Sequence, residues 1–502
     1  MPPLLALVAF APAVANARPA DDAVILANPL LAHWHTLPAA INSPWWPATG
    51  HLYRPLTLIT LGAEQLLTHN PATSHAINLA LNALVAALVT RLLLRLIPSP
   101  AAIAAASLFA VLPSHTEAVS TLVGRAELLA ALALVTLLLL IVSDQPPTRN
   151  RRLAAALLAA AALASKESGV VAPAIALVAA MTTESQRRHA VQWTLAAGQG
   201  TAVMLLARLA ALGSLGGDLP HPAFRVASAA ERIALALSVL PREAAMLLLP
   251  VPPAIDWAPS LAELRHPPTL QLALGATIAL AMLAALALHL SPGRFSKPTL
   301  GLTIAALTAL PASNLLFPTG VVLSGRVLYA PSIGITIAIA AALHWLWRRL
   351  NSFAPRRPPL ATHHVSAGPS HRVADPMAPR AVISAGLALL LAASATTSWR
   401  ETHTWQNSAT MLATIAARQP NDYRPEMYAA WTARDAGRTT ESLQHFRNAA
   451  ARFPADAEML TDGATVALAA HDSATAITWL RAALVANPAE RRARARLAAM
   501  AR

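Results

Sequence analysis

Residues 74–96 read SHAINLALNALVAALVTRLLLRL, and residues 101–123 read AAIAAASLFAVLPSHTEAVSTLV. Each is about as long as the ~20 residues a helix needs to cross a bilayer. Comparable apolar segments follow at 128–142, 153–164, 170–181, 191–212, 270–290, 300–316, 327–347 and 381–397, and one opens the chain at 3–15. Those at 153–164 and 170–181 are short and Ala-rich, which suits close helix packing. Eleven segments predict an all-α, polytopic membrane domain over residues 1–398.

Composition agrees with that reading. The 502-residue chain is 55% hydrophobic and 12% charged, against roughly 25% charged in a soluble domain. It has no cysteine, which excludes disulfides, a thiol nucleophile and thiolate metal sites. The net charge of +14 would suit nucleic acid, but the basic residues sit in short loops between apolar segments. Arg91 and Arg95, Arg149 to Arg152, Arg187 and Arg188, Arg294 and Lys297, and Arg348 to Arg357 all fall on one side. That is the cytoplasmic side by the positive-inside rule, and nucleic acid is not expected as a partner.

The opposite side receives the first loop (18–73), the turn around His115–Arg125, the turn at Lys166, the loops 213–269 and 317–326, and the C-terminus. This parity requires that Glu231–Pro250 does not cross. Pro241, Arg242 and Glu243 stand in its middle, so it reads as an interfacial or re-entrant helix pair. Met1–Ala15 lacks a basic leading region and reads as a first span, with a cleaved signal as the alternative. Ala- and Arg-rich usage suggests a bacterial inner-membrane protein with a periplasmic C-terminus. Residues 351–380, rich in Pro, Arg, His and Ser, read as a disordered cytoplasmic loop. His363, His364 and His371 there lack acidic or thiol partners and are not expected to bind metal.

Residues 399–502 differ in kind. Pro420, Pro454 and Pro488 are spaced 34 apart, and Ser442/Ala476, Phe446/Leu480 and Ala449/Ala483 repeat at the same offset. A 34-residue period of small, large, small and Pro predicts tetratricopeptide-type helix hairpins, a short α-solenoid. Two units fall short of the ~3 usually needed for independent stability, so the tail is expected to lean on the membrane domain.

Polar residues gather on the side opposite the basic loops. Asp21 and Asp22 follow the first span, where carboxylates are costly and tend to be functional. The first loop continues through Asn28-Pro29, a Trp/Pro/His-rich stretch with Trp45 and Trp46, and Tyr53-Arg54-Pro55, and ends in an amphipathic helix from Leu56 to Leu67. Pro113-Ser-His115-Thr-Glu117 and Gly124-Arg125-Ala-Glu127 mark the next turn. Ser165-Lys166-Glu167-Ser168 sits between two short spans, and Arg326 begins another ahead of Tyr329. Guanidinium groups suit phosphate through paired hydrogen bonds. His115 and Glu117 have no third ligand at metal spacing. No Walker motif, nucleophile elbow or His-Glu-x-x-His is present, so hydrolase and ATPase chemistry has no support.

In this order the landmarks resemble the transmembrane and tetratricopeptide-repeat protein O-mannosyltransferases and their bacterial relatives, membrane glycosyltransferases of the GT-C type. The resemblance rests on Asp21-Asp22 with Asn28-Pro29, Tyr53-Arg54-Pro55, His75-Ala-Ile-Asn78, Pro113 to Glu117, Gly124 to Glu127, Ser165 to Ser168, Arg326 to Pro331, and the repeat tail. Gly325 stands where the family usually has an acid, Leu112 departs from its usual His-Pro start, and Glu127 replaces its more usual Asp. The resemblance implies a polyprenyl-phosphate sugar as donor and a Ser/Thr-bearing polypeptide as acceptor; no cofactor is expected, since the lipid-linked sugar is a substrate, and no metal is required where cationic side chains already meet the phosphate.

On that reading Asp21 or Asp22 is the general base, with Asp22, farther from the span, preferred. Arg326, Arg125 or Lys166 stabilises the departing phosphate. His115, Glu117, Tyr53, Arg54 and Tyr329 complete the substrate-binding set, and the tail presents the acceptor. A non-catalytic scaffold whose repeats bind a partner is the alternative. A transporter is disfavoured because the spans are nearly devoid of charge near the midplane.

Overall fold

The computed structural model describes residues 1–19, 21–46, 52–143, 145–216, 220–291, 294–352 and 378–500. The expected cytoplasmic loop 351–380 and its three histidines therefore lie almost wholly outside the described residues. Among the described residues the secondary structure is helical apart from one isolated antiparallel bridge, between Trp257 and Leu323.

Among the described residues, five helices are long and apolar enough to cross a membrane: Pro71–Leu96, Ala190–Leu212, Thr269–Leu290, Arg326–Leu350 and Ala381–Trp405. A sixth crossing is formed if Pro100–Ala110 and Pro113–Ser120, bent by 45°, act as one broken span. The break has a local cause. Pro113 has no N–H to donate and forces the preceding Leu112 out of the helical region, to φ −69° and ψ 124°. The chain is a membrane protein on these helices. The remaining expected segments form shorter helices, among them Pro2–Ala9, Arg125–Ile141, Arg149–Ser165, Ala172–Ala180 and Lys297–Ala309.

Small residues bring these helices together. Gly301 on Lys297–Ala309 and Gly334 on Tyr329–Ser352 face each other so closely that a Cβ on either would run into the other helix's backbone. In lipid, where apolar burial drives little, such backbone approach is a main source of helix association.

Glu231–Pro250 differs from the expected helix pair. It forms one helix, Ala229–Leu248, which runs through Pro241. A capping box between Ser228 and Glu231 satisfies its first N–H groups, and its apolar face lies against Thr269–Leu290.

The first loop is folded rather than merely anchored. Its helix Pro55–Leu67 coincides with the expected amphipathic segment. Trp45 is fully buried with Leu31, Leu58, Leu61, Leu122 and Val123. The tail forms hairpins from Arg424–Asp435 with Thr439–Arg452, and from Ala457–Ala469 with Ser473–Ala486. Ser442, Phe446, Ala449, Ala476, Leu480 and Ala483 are all buried, as the 34-residue period requires. The tail shares its core with Ala223, Phe224, Ala258, Leu264 and Val322 of the loops before and after Thr269–Leu290.

Candidate active site

A cleft opens where the first loop, the broken span, the segment before Arg326 and the start of the tail converge. Asp21, Asp22, Glu117, Asp256, Arg326, Arg424 and Tyr428 line it, with Ile255, Trp405, Met411 and Ile415. It encloses about 90 Å³, room for a few water molecules.

Adjacent in sequence, the two first-loop carboxylates have different surroundings. Asp22 is fully buried. Its Oδ2 accepts from the Leu122 N–H and its Oδ1 from the Val123 N–H, both at 2.9 Å. Burial pushes this carboxyl up to about 7, and the two amide bonds pull against that rise. Asp22 therefore ties the first loop to the 121–125 turn. Asp21 keeps 43% of its side chain exposed, with Arg326 Nη1 at 3.8 Å from its Oδ2. Its exposed part faces the narrow cleft rather than bulk water, so burial still raises its pKa and Arg326 opposes the rise.

Arg326 is held from the other side by Glu117. The Glu117 carboxylate lies 3.4 Å from Arg326 Nε, accepts from the Arg326 N–H at 3.2 Å, and accepts from the Ser324 hydroxyl. Gly325 between them has little room for a side chain, because a Cβ would press on Pro253. The carboxylates around Arg326 come instead from Asp21 and Glu117.

The other expected site residues do not line the cleft. Arg125 is 1% exposed, paired with Glu64, and donates to Asn78 Oδ1 at 2.8 Å and the Ser74 carbonyl at 3.1 Å. Arg54 pairs with Glu167 and lies over the Trp45 ring, while the Tyr53 N–H donates to the same Glu167. Lys166 is bonded to Glu127, and burial, with the nearby Arg54 and Arg326, pushes its ammonium well below the usual lysine range. His115 packs against Phe109 and Tyr329 and bonds to Ser332 Oγ at 2.9 Å. Tyr329 donates its hydroxyl to Asn82 at 2.7 Å. These groups form a polar layer behind the cleft.

Sequence reading missed Asp256, Trp405, Arg424 and Tyr428. Arg424 pairs with Asp256 at 2.6 Å across the junction of loop and tail, and with Asp422. Asp256 holds a left-handed backbone, φ 42°, uncommon for a residue other than Gly. The only sequence signal is an acid after a Pro-rich run, Pro250 to Pro253, which is too common to single out.

The chain matches curated proteins over part of its length. It is 28% identical over 341 residues to the human protein O-mannosyl-transferase TMTC3, and 29% identical over 338 residues to the mouse protein of that name. Each match covers 60% of this chain. It is 46% identical over 57 residues, 11% of the chain, to protein O-mannosyl-transferase Tmtc1 of Drosophila melanogaster. The chain spans about a third of the length of TMTC3, 36%, and the Tmtc1 match covers 7% of that protein. No family model and no solved structure matches. The resemblance carried by the sequence motifs is thus found again over 60% of the chain, as similarity to proteins named protein O-mannosyl-transferase TMTC3.

Proposed function

We propose that the chain is an inverting membrane glycosyltransferase that moves a sugar, mannose by analogy with its relatives' names, from a polyprenyl phosphate to Ser or Thr hydroxyls of exported polypeptides. The observation that carries the reading is the pairing of Asp21 with Arg326 at the cleft, 3.8 Å apart, with Glu117 behind the guanidinium. Asp21 takes the proton of the acceptor hydroxyl. The hydroxyl oxygen bonds to the anomeric carbon as the bond from that carbon to the phosphate oxygen breaks. Arg326 meets the charge growing on the departing phosphate, an effect typically worth several kcal/mol.

Asp21 fits the base role better than Asp22. Both Asp22 oxygens are engaged by backbone N–H groups, whereas Asp21 faces open space. The eleven-segment count, the GT-C-like architecture and a periplasmic cleft in a bacterial inner membrane belong to the same proposal. The many apolar helices then offer the isoprenoid a groove, and residues 399–502 act as a tetratricopeptide-type acceptor-selecting region.

Comparing exported glycopeptides of a deletion strain with those of its parent tests this. Loss of one defined sugar from Ser/Thr peptides is the expected result. An unchanged set of glycopeptides overturns the transferase reading and favours a scaffold whose repeats bind a partner.

A further inference from the structure

The repeat tail reaches the cleft itself. The helix Arg424–Asp435 brings Arg424 and Tyr428 to the wall facing Asp21. The tail, together with the end of the span Ala381–Trp405 that leads into it, is also fastened to both halves of the Asp21–Arg326 pair. On the Asp21 side, the Ala17 N–H donates to the Gln406 carbonyl at 2.9 Å and the Asn16 amide to the Thr402 carbonyl at 3.1 Å. On the Arg326 side, Arg424 holds Asp256. The loop carrying Asp256 is sewn to the segment before Arg326 by two backbone bonds. Trp257 N–H donates to the Leu323 carbonyl at 2.7 Å, and Gly325 N–H donates to the Ala254 carbonyl at 3.0 Å. The left-handed backbone of Asp256 costs free energy and persists only where its surroundings fix it; these bonds and the ion pair do so.

Chemistry on this wall suits a polypeptide. Ile255, Met411 and Ile415 give an apolar shelf. Tyr428 lines the same cleft, partly exposed, its ring edge-on to Trp431 at 5.3 Å. Burial and the carboxylates of Asp21 and Asp256 push its phenol up to about 12, so at neutral pH it is a hydrogen-bond donor. A donor hydroxyl beside an apolar shelf matches a backbone carbonyl flanked by uncharged side chains. It matches a second phosphate poorly, with Asp21 and Asp256 close by.

Resting on the transferase reading, we propose that the tail is the acceptor wall of the reaction cleft. Tyr428 contacts the polypeptide next to the reacting Ser or Thr, and Arg424 is a positioning residue that holds the wall in place through Asp256. The tail is then part of the site and not a detached recruiting arm.

The test uses the full chain in membranes, a short Ser/Thr peptide with uncharged neighbours, and polyprenyl-phosphate mannose. Tyr428→Phe should raise the peptide KM by about 3- to 10-fold, the worth of one hydrogen bond, with kcat and the donor KM little changed. Arg424→Gln should lower kcat and raise the peptide KM together, with partial rescue by Arg424→Lys. A photoreactive copy of the peptide should label Arg424–Asp435, and should still do so in Asp21→Asn, where transfer is lost. An unchanged peptide KM in Tyr428→Phe, or labelling that avoids this helix, overturns the proposal while leaving the transferase reading intact. A parental chain that labels there yet transfers no sugar supports the wall and overturns the transferase reading instead.

Discussion

Two sets of charges sit within one polar region of this molecule and are used differently. Behind the cleft, Arg125 with Glu64 and Lys166 with Glu127 are buried, closed pairs. At the cleft, Arg326 stands between Asp21 and Glu117 with 22% of its side chain exposed. Residue types are the same in both. What differs is whether a substrate can take the place of one partner. A buried pair that loses one member leaves an uncompensated charge, so the closed set acts on stability. A partly open carboxylate facing a cation is available for proton transfer and phosphate binding, so the open set acts on rate.

The sharpest way to break this comparison is at the adjacent acids. Asp21→Asn should lower sugar transfer by about 10²- to 10⁴-fold, the range of a positioned general base, with normal membrane levels. Asp22→Asn should act on folding instead, because an amide NH₂ would face backbone N–H donors. A stability loss of about 1–3 kcal/mol is expected, read as a lower melting temperature in detergent. Equal rate losses with unchanged melting would erase the distinction.

The two arginines give the next contrast. Arg125→Met leaves Glu64 buried and unpaired, and about 3–5 kcal/mol of stability should go with it. The double variant Arg125→Met with Glu64→Leu should recover much of that loss. Arg326→Ala should cost roughly 10²-fold in kcat, measured as transfer at saturating donor, and lower the melting temperature less than Arg125→Met, because Glu117 still accepts from the Ser324 hydroxyl and the residue 326 N–H. If Arg326→Ala unfolds the protein while Arg125→Met only slows it, the assignment of closed and open sets is reversed.

The smallest effect lies in pH. Asp21 is the base in its deprotonated form, and its pKa is raised by burial in the cleft. Activity should therefore fall as pH drops, along a limb lying above the ordinary aspartate value of about 3.9. The limb should disappear from the residual activity of Asp21→Asn. A limb at the ordinary value would place the working carboxylate in open water.

Much of the architecture was legible in the chain itself. Apolar length marked the segments, because a helix that meets lipid must satisfy its own backbone and show few charges. The 34-residue spacing marked which tail residues are buried, since Ser442, Phe446 and Ala449 recur one unit later as Ala476, Leu480 and Ala483 on the same packed face. Residues 101–123, read as one apolar segment, are instead broken at Leu112-Pro113 by proline geometry that needs no neighbours. Asp21, Glu117 and Arg326 could be singled out because charges are scarce in a chain of this composition.

Tertiary structure alone decided how those charges are shared out. Nothing in Asp21-Asp22 says which carboxylate meets the Leu122 and Val123 N–H groups, because those donors lie about a hundred residues away. Nothing in Arg125 or Lys166 says that Glu64 and Glu127 have already claimed them. Asp256, Arg424 and Tyr428 carry no local pattern and reach the cleft only because the tail docks on the loops between spans. Periodicity and hydropathy are set by neighbours in sequence. The accessibility of a charge is set by whatever the fold brings within about 4 Å of it, where electrostatic energy changes most steeply with distance.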